Sequence, residues 1–304
     1  MIETVHKHGG LGLRRLVARY MARQAGRLTL SPENPRQVAR ARMNKSGDRL
    51  PSAPGVTIGD IELAGRPALH FTPDNARPGA ILFFHGGGYS LGSPQSHKPL
   101  VSRLSALFGL EAFSADYRLA PEHCCPDAVD DCEDILQIVR KKTDGPLIVS
   151  GDSAGGGLTL AGVIRHRDAG RPMPDALYLL SPWTDLSLSG ESTASRAHRD
   201  PMLTPSALEA GARLYLDGRD PRDREASPLF ADLKGLPPTF IQVGEDEVLL
   251  DDSTRLAARL DEAGVDVHCE VWKGMFHDFQ MFSPLLKEAD TALERAKAWI
   301  EPRV

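Results

Sequence analysis

Ser153 stands in Gly151-Asp152-Ser153-Ala154-Gly155, between the apolar run Pro146-Leu147-Ile148-Val149-Ser150 and the small-residue stretch Gly156-Gly157-Leu158-Thr159-Leu160-Ala161. That order reads as strand, sharp turn, helix. A serine on such a turn needs glycines beside it to accept strained angles and close strand-to-helix packing, and its Oγ is then left exposed as a nucleophile. A glycine-rich turn with an incidental serine would look the same, so a second group must decide. Upstream, the buried-strand pattern Ala80-Ile81-Leu82-Phe83-Phe84 runs into His85-Gly86-Gly87-Gly88-Tyr89. Three successive glycines leave their backbone N–H groups bare. Acyl transfer passes through a tetrahedral oxyanion, and preorganised N–H donors aimed at it contribute about 3 to 4 kcal/mol each. A phosphate-binding nest would also use bare amides, but the chain has no G-x-x-x-x-G-K-[ST] and no lysine directly behind the glycines.

HGGG and GDSAG stand 66 residues apart, with Asp116-Tyr117-Arg118-Leu119-Ala120-Pro121-Glu122 between them and Ser227-Pro228-Leu229 and Gly235-Leu236-Pro237-Pro238 beyond. On these motifs the chain resembles the hormone-sensitive-lipase-like branch of the α/β-hydrolases, over roughly residues 50 to 300. It departs from the family pattern at Cys124-Cys125, where relatives more commonly carry a proline and an aromatic residue.

The resemblance implies the chain order Ser, then Asp or Glu, then His. His166, His198, His268 and His277 follow Ser153. The first falls in the helix after the nucleophile, the second in an inserted segment and the third inside a strand, whereas His277 lies on a loop after a strand. His277 is therefore the expected general base, and His85 is assigned a structural hydrogen bond in the HGGG loop. For the acid, Gly244-Glu245-Asp246-Glu247-Val248-Leu249-Leu250-Asp251-Asp252 crowds five carboxylates after one strand. Asp251 and Asp252 read as caps or first-turn acids of the next helix. Asp246 matches the family's aspartate and is the expected acid, with Glu245 and Glu247 as alternatives one residue away. By resemblance, Gly87 and Gly88 supply oxyanion N–H groups. Ala154 joins them independently, since the amide after the nucleophile points into the hole.

The expected activity is carboxylic ester hydrolysis through a serine acyl-enzyme, on short- to medium-chain acyl or aryl esters. A noncatalytic small-molecule receptor of the same fold, or an amidase or peptidase, would share the scaffold. The presence of His277 beside Ser153 and Asp246 favours an enzyme. No metal and no organic cofactor is implied.

The elements that must hold these groups follow from periodicity. Residues 56–63 and 67–71 alternate around a Gly65 turn and predict an antiparallel edge hairpin. Strand patterns at 80–84, 110–115, 146–150, 175–180, 238–243 and 266–272 alternate with helical patterns near 97–108, 127–141, 154–169, 250–263 and 284–299. This predicts an α/β-hydrolase fold: a mostly parallel, doubly wound sheet. One connection, 185–235, is far too long for a link and contains a helical piece at 205–216, so it is expected to be a cap insertion at the ligand end of the sheet. The expected organisation is N-terminal cap helices at 1–50, a core at 51–184 and 236–304, and the insertion between. Residues 4–32 contain no acid but carry Lys7, Arg14, Arg15, Arg19, Arg23 and Arg27, with Leu13, Leu16, Val17, Tyr20 and Met21 at helical spacing. Such a helix could lie on an anionic membrane or act as a targeting segment. The expectation is that it packs its apolar face on the protein, as part of the cap.

Composition sets the outer limits. The chain has 304 residues, 41% hydrophobic and 25% charged, with a net charge of −5. It is able to bury a large core, and the charge suits a small neutral substrate, as the expected small-molecule ester would be, rather than nucleic acid. Cys124, Cys125, Cys132 and Cys269 form neither a disulfide framework nor a zinc pattern and read as reduced thiols in a cytoplasmic protein. No stretch approaches 18 uninterrupted apolar residues, so no stable membrane insertion is expected. Assembly as a homodimer is left open.

Overall fold

The apolar runs at 81–84, 147–149 and 176–180 carry no polar alternation, which suits strands covered on both faces. In the computed structural model of the chain, which describes residues 1–6 and 12–304 and so leaves Lys7 outside, they are the middle of one sheet. Its strands are β1 (Ile2–Val5), β2 (Val56–Leu63), β3 (Arg66–Pro73), β4 (Arg77–Phe84), β5 (Leu110–Ala115), β6 (Leu147–Asp152), β7 (Ala176–Leu180), β8 (Thr239–Gly244) and β9 (Val267–Trp272). Their spatial order is β1-β9-β8-β7-β6-β4-β5-β3-β2. β2 with β3 and β3 with β5 are antiparallel, and the other pairs are parallel. This is the α/β-hydrolase fold. The hairpin lies at one edge as expected. At the other edge β1 pairs with β9, so residues 1–50 give the sheet a strand as well as the fold its N-terminal helices.

The helices are α1 (Leu13–Ala25), α2 (Arg36–Ser46), α3 (Pro94–Phe108), α4 (Asp127–Lys142), α5 (Ser153–Asp168), α6 (Ser192–Ser195), α7 (Pro205–Leu216), α8 (Leu250–Glu262) and α9 (Lys287–Ile300). A π-helical turn, Gly26–Leu30, prolongs α1. One face of the sheet buries Cys132, Ile135, Leu158 and Leu256 from α4, α5 and α8. The other buries Leu100, Leu104, Leu293 and Ala296 from α3 and α9. No described helix is long and apolar enough to cross a membrane.

α1 packs the other way round from expectation. Its inward face is Arg15, Ala18 and Ala22, joined by Arg19, whereas Leu13, Leu16, Val17 and Tyr20 are 76%, 52%, 39% and 64% exposed. The small alanines let the helix lie close on Trp272, Phe276 and Phe279. Arg15 pairs with Glu288, and Arg19 donates to Asp246 Oδ2 at 2.9 Å and to the Arg199 carbonyl at 2.7 Å. Two anchored guanidinium groups therefore choose the buried face, against the hydrophobic pattern.

Candidate active site

β6 ends at Asp152 and α5 begins at Ser153 with no residue between. Ser153 is consequently held at φ 52°, a left-handed angle that costs a non-glycine residue on the order of 1 to 3 kcal/mol and is kept only where surroundings enforce it. Gly155 leads the next part of the turn past the Phe84 and His85 carbonyls, where any Cβ would collide with backbone. The turn aims Oγ at His277, whose Nε2 lies 3.0 Å away.

On the other ring nitrogen, Nδ1 of His277 lies 2.9 Å from Glu247 Oε2. Glu247 is fully buried, and its Oε1 accepts from the Ser181 hydroxyl at 2.7 Å and from the Gly244 amide. The carboxylate against the histidine is thus Glu247, not the expected Asp246. The cause is the turn after β8, where the Glu247 amide donates back to the Gly244 carbonyl at 3.3 Å. That fold-back brings the longer glutamate under His277. Asp246 points to α1 and the segment between β7 and β8 and takes its ion pairs from Arg19 and Arg199. Glu245 accepts from the Gly274 amide at 3.1 Å. Asp251 and Asp252 lie in the first turn of α8, but their carboxylates bind backbone N–H groups of Ser192, Thr184 and Asp185, tying down the 185–235 segment.

The HGGG loop follows β4 along the same rim. Gly87 adopts φ 122°, and a Cβ there would meet the Leu91 carbonyl. Gly87 and Gly88 border the pocket over Ser153, and among the described residues their N–H groups have no acceptor. Ala154 is in the first turn of α5, where helix amides have no intrahelical partner. His85 is buried below, its ring stacked on Tyr117 at 4.3 Å and its Nδ1 2.9 Å from the Gly86 carbonyl. Burial pushes its pKa down to about 3, so it is neutral. Asp152 accepts from the Gly86 amide at 2.9 Å and faces His97 Nε2 at 3.2 Å, binding the two motifs together. Burial opposes charge on both partners, but their mutual attraction outweighs it, raising the His97 pKa and lowering that of Asp152.

Asp278 went unseen in the sequence. Its Oδ2 lies 3.0 Å from His277 Nε2, the nitrogen that also faces Ser153, and its Oδ1 is buried without a partner among the described residues. Burial pushes this carboxyl up to about 7, offset in part by the His277 charge. For His277, burial disfavours the imidazolium, but Asp278 and then Glu247 overcome it and hold its pKa well above the ordinary histidine value. The signal available was only its place directly after the histidine; the structure bends its backbone to φ 52°.

Above Ser153 the pocket is walled by Leu30 and Met43 from the N-terminal helices, Met202, Leu203 and Leu208 from the insertion, and Met281. A larger cavity of about 300 Å³ adjoins it, sharing Leu30, Met43, Met202 and Met281 and continuing to Met21, Ala25 and Leu28. Asp200 in the insertion accepts from the Val248 amide at 3.2 Å, fastening this roof to the acid turn. Among the described residues, the grouping with metal-ligand chemistry is Glu3, His268 and Glu270 on β1 and β9. Arg295 already pairs with both glutamates, and Gln242 and Trp272 donate to Glu270 Oε2, so the oxygens a cation would need are engaged.

Residues 81–281 match the profile of a family described by its α/β hydrolase fold. An esterase of Acinetobacter venetianus is 40% identical over 80% of this chain and 82% of its own. An acetyl-hydrolase of Streptomyces hygroscopicus is 39% identical over 88% and 89% of the two chains. The crystal structure of an esterase from the bacterial hormone-sensitive lipase family superposes with a TM-score of 0.91 at 34% identity, covering 97% of this chain and 99% of that one.

Proposed function

This chain belongs to the hormone-sensitive-lipase-like branch of the α/β-hydrolase family and is a carboxylic ester hydrolase, and on that premise we propose that Ser153, His277 and Glu247 carry out the reaction. Ser153 Oγ attacks the ester carbonyl while His277 Nε2 takes its proton. The carbonyl π pair moves onto oxygen, where the amides of Gly87, Gly88 and Ala154 receive it. Collapse expels the alcohol, which leaves with the proton from Nε2. Water then attacks the acyl-enzyme by the same route in reverse. Glu247 holds the proton on Nδ1, keeps Nε2 turned to the serine and stabilises the imidazolium without taking its proton. The single observation that carries this reading is the unbroken relay of 3.0 Å and 2.9 Å from Oγ to the carboxylate.

The apolar walls above Ser153 suit a short- to medium-chain acyl group, and the placed histidine favours an enzyme over a receptor of the same fold. Four free cysteines favour a reducing compartment, the cytoplasm. Ser153→Ala is the direct test. With p-nitrophenyl butyrate, kcat should fall by about 10⁵-fold or more while the circular dichroism spectrum is unchanged. Retention of a hundredth of the activity would remove Ser153 from the role.

A further inference from the structure

We propose that the outward face of α1 is a docking surface for an anionic lipid interface, beside the entrance to the acyl cavity. Leu13, Leu16, Val17 and Tyr20 recur at i, i+3, i+4 and i+7, so they form one continuous stripe, and all four lie in solvent. A helix normally turns such a stripe inward. Here the inward face is already occupied by alanines and two paired arginines. A contiguous exposed apolar patch of this kind marks a contact site.

Charge identifies the occupant. Arg14, Arg23 and Arg27 are exposed around the stripe and, among the described residues, make no ion pair. Between residues 4 and 50 there are eleven lysines and arginines against two acids, in a chain whose net charge is −5. A second copy meeting this face through a two-fold axis would set arginines against arginines, with no acid on the helix to relieve them. A polar acidic partner would leave four large apolar side chains uncovered. An anionic lipid surface satisfies both at once: headgroups pair with the guanidinium groups while the leucines and the tyrosine ring enter the acyl boundary.

The same segment also walls the cavity. Leu28 is 39% exposed on the outside and, with Met21 and Ala25, lines the 300 Å³ space adjoining the pocket over Ser153. Docking would therefore bring the acyl cavity to the lipid phase, and the substrates delivered would be esters dissolved in that phase. This consequence rests on the hydrolase reading, whereas the binding does not.

Flotation of the full chain with vesicles separates the two. Vesicles of phosphatidylcholine with one-fifth phosphatidylglycerol should carry the protein, and pure phosphatidylcholine should carry far less. L16D/Y20D should abolish the association. Arg14→Ala, Arg23→Ala and Arg27→Ala together should weaken it about a hundredfold, at about fivefold per arginine. In both variants, hydrolysis of p-nitrophenyl acetate in buffer should equal that of the parent, because no substituted residue borders Ser153. Equal binding to both vesicle types, no binding, or variants that float like the parent would overturn the proposal. So would a concentration-dependent dimer by analytical ultracentrifugation that L16D/Y20D dissolves. A parent that floats but cleaves no ester would instead count against the hydrolase reading.

Discussion

The floor of the candidate active site and its roof are built by different physics. On the floor, Ser153, the HGGG loop and the Glu247 turn each follow directly from a parallel strand, and backbone sterics leave each side chain little choice. The roof, formed by α1, the π turn, α2 and the 185–235 segment, hangs from the core by side-chain contacts. Arg19 reaches Asp246, Arg15 reaches Glu288, and Asp200 reaches the Val248 amide. Strand-end groups are consequently placed by their own backbone, whereas the position of the roof depends on side-chain contacts that a substitution can remove. Changes to the floor should strike kcat, and changes to the roof should strike selectivity.

Asp246 and Glu247 give the sharpest form of that contrast, being adjacent in sequence and assigned to opposite regions. Glu247→Gln removes the charge that holds the His277 tautomer and should cost on the order of 10⁴ in kcat. Asp246→Asn should leave kcat within about tenfold, because its carboxylate faces the arginines of the roof. Steady-state kinetics on both variants decides the matter. A crippled Asp246→Asn beside a mild Glu247→Gln would reverse the roles drawn from the geometry.

Within the floor, Asp278 sharpens the comparison by acting on pH. In the proposed mechanism His277 must be neutral to act as base, and Asp278 and Glu247 hold its pKa well above the ordinary histidine value against the opposing effect of burial. kcat/KM should therefore rise with pH through an apparent pKa above about 6.5, a value belonging to the coupled His277 and Asp278 pair. Asp278→Asn removes one of the two negative charges. The His277 pKa then falls and the acid limb of the profile should move to lower pH. A limb that stays in place would mean Asp278 only packs.

The floor was legible in the sequence because its constraints are local. Gly151 and Gly155 declare a tight strand-to-helix turn, Gly86 to Gly88 declare bare amides, and uninterrupted runs such as Ile81 to Phe84 declare central strands. Helix 205–216 inside the long connection also coincides with α7. The acid slipped by one residue because five carboxylates in nine positions look alike until the fold-back onto the Gly244 carbonyl assigns their directions. β1 escaped notice as four residues whose ladder partner, β9, lies some 267 positions away. For α1, periodicity revealed two faces but not which one is buried. That choice depends on Glu288 and Asp246, separated from Arg15 and Arg19 by 273 and 227 residues, and no local pattern carries it.

The smallest expected effect tests the roof. Arg19 has a side chain 28% exposed, against 9% for Asp246, so the pair is screened on one side only and is worth on the order of 1 kcal/mol. Arg19→Ala should lower the melting temperature by a few degrees or less, since Asp246 keeps Arg199 as a partner and α1 keeps Arg15 on Glu288. Its larger consequence is positional. Met21 and Ala25 lie within two turns of Arg19 on α1 and line the cavity, so a loosened helix changes the depth available to an acyl chain. Pocket walls discriminate by about 1 to 3 kcal/mol per methylene. The ratio of kcat/KM for p-nitrophenyl hexanoate over acetate should therefore change by about threefold to tenfold in Arg19→Ala. Hydrolysis of acetate itself should hold steady, since Ser153, His277 and Glu247 are untouched. A fall in acetate hydrolysis equal to that in hexanoate hydrolysis would show that Arg19 supports the floor through Asp246, and the division between the two regions would fail at this ion pair.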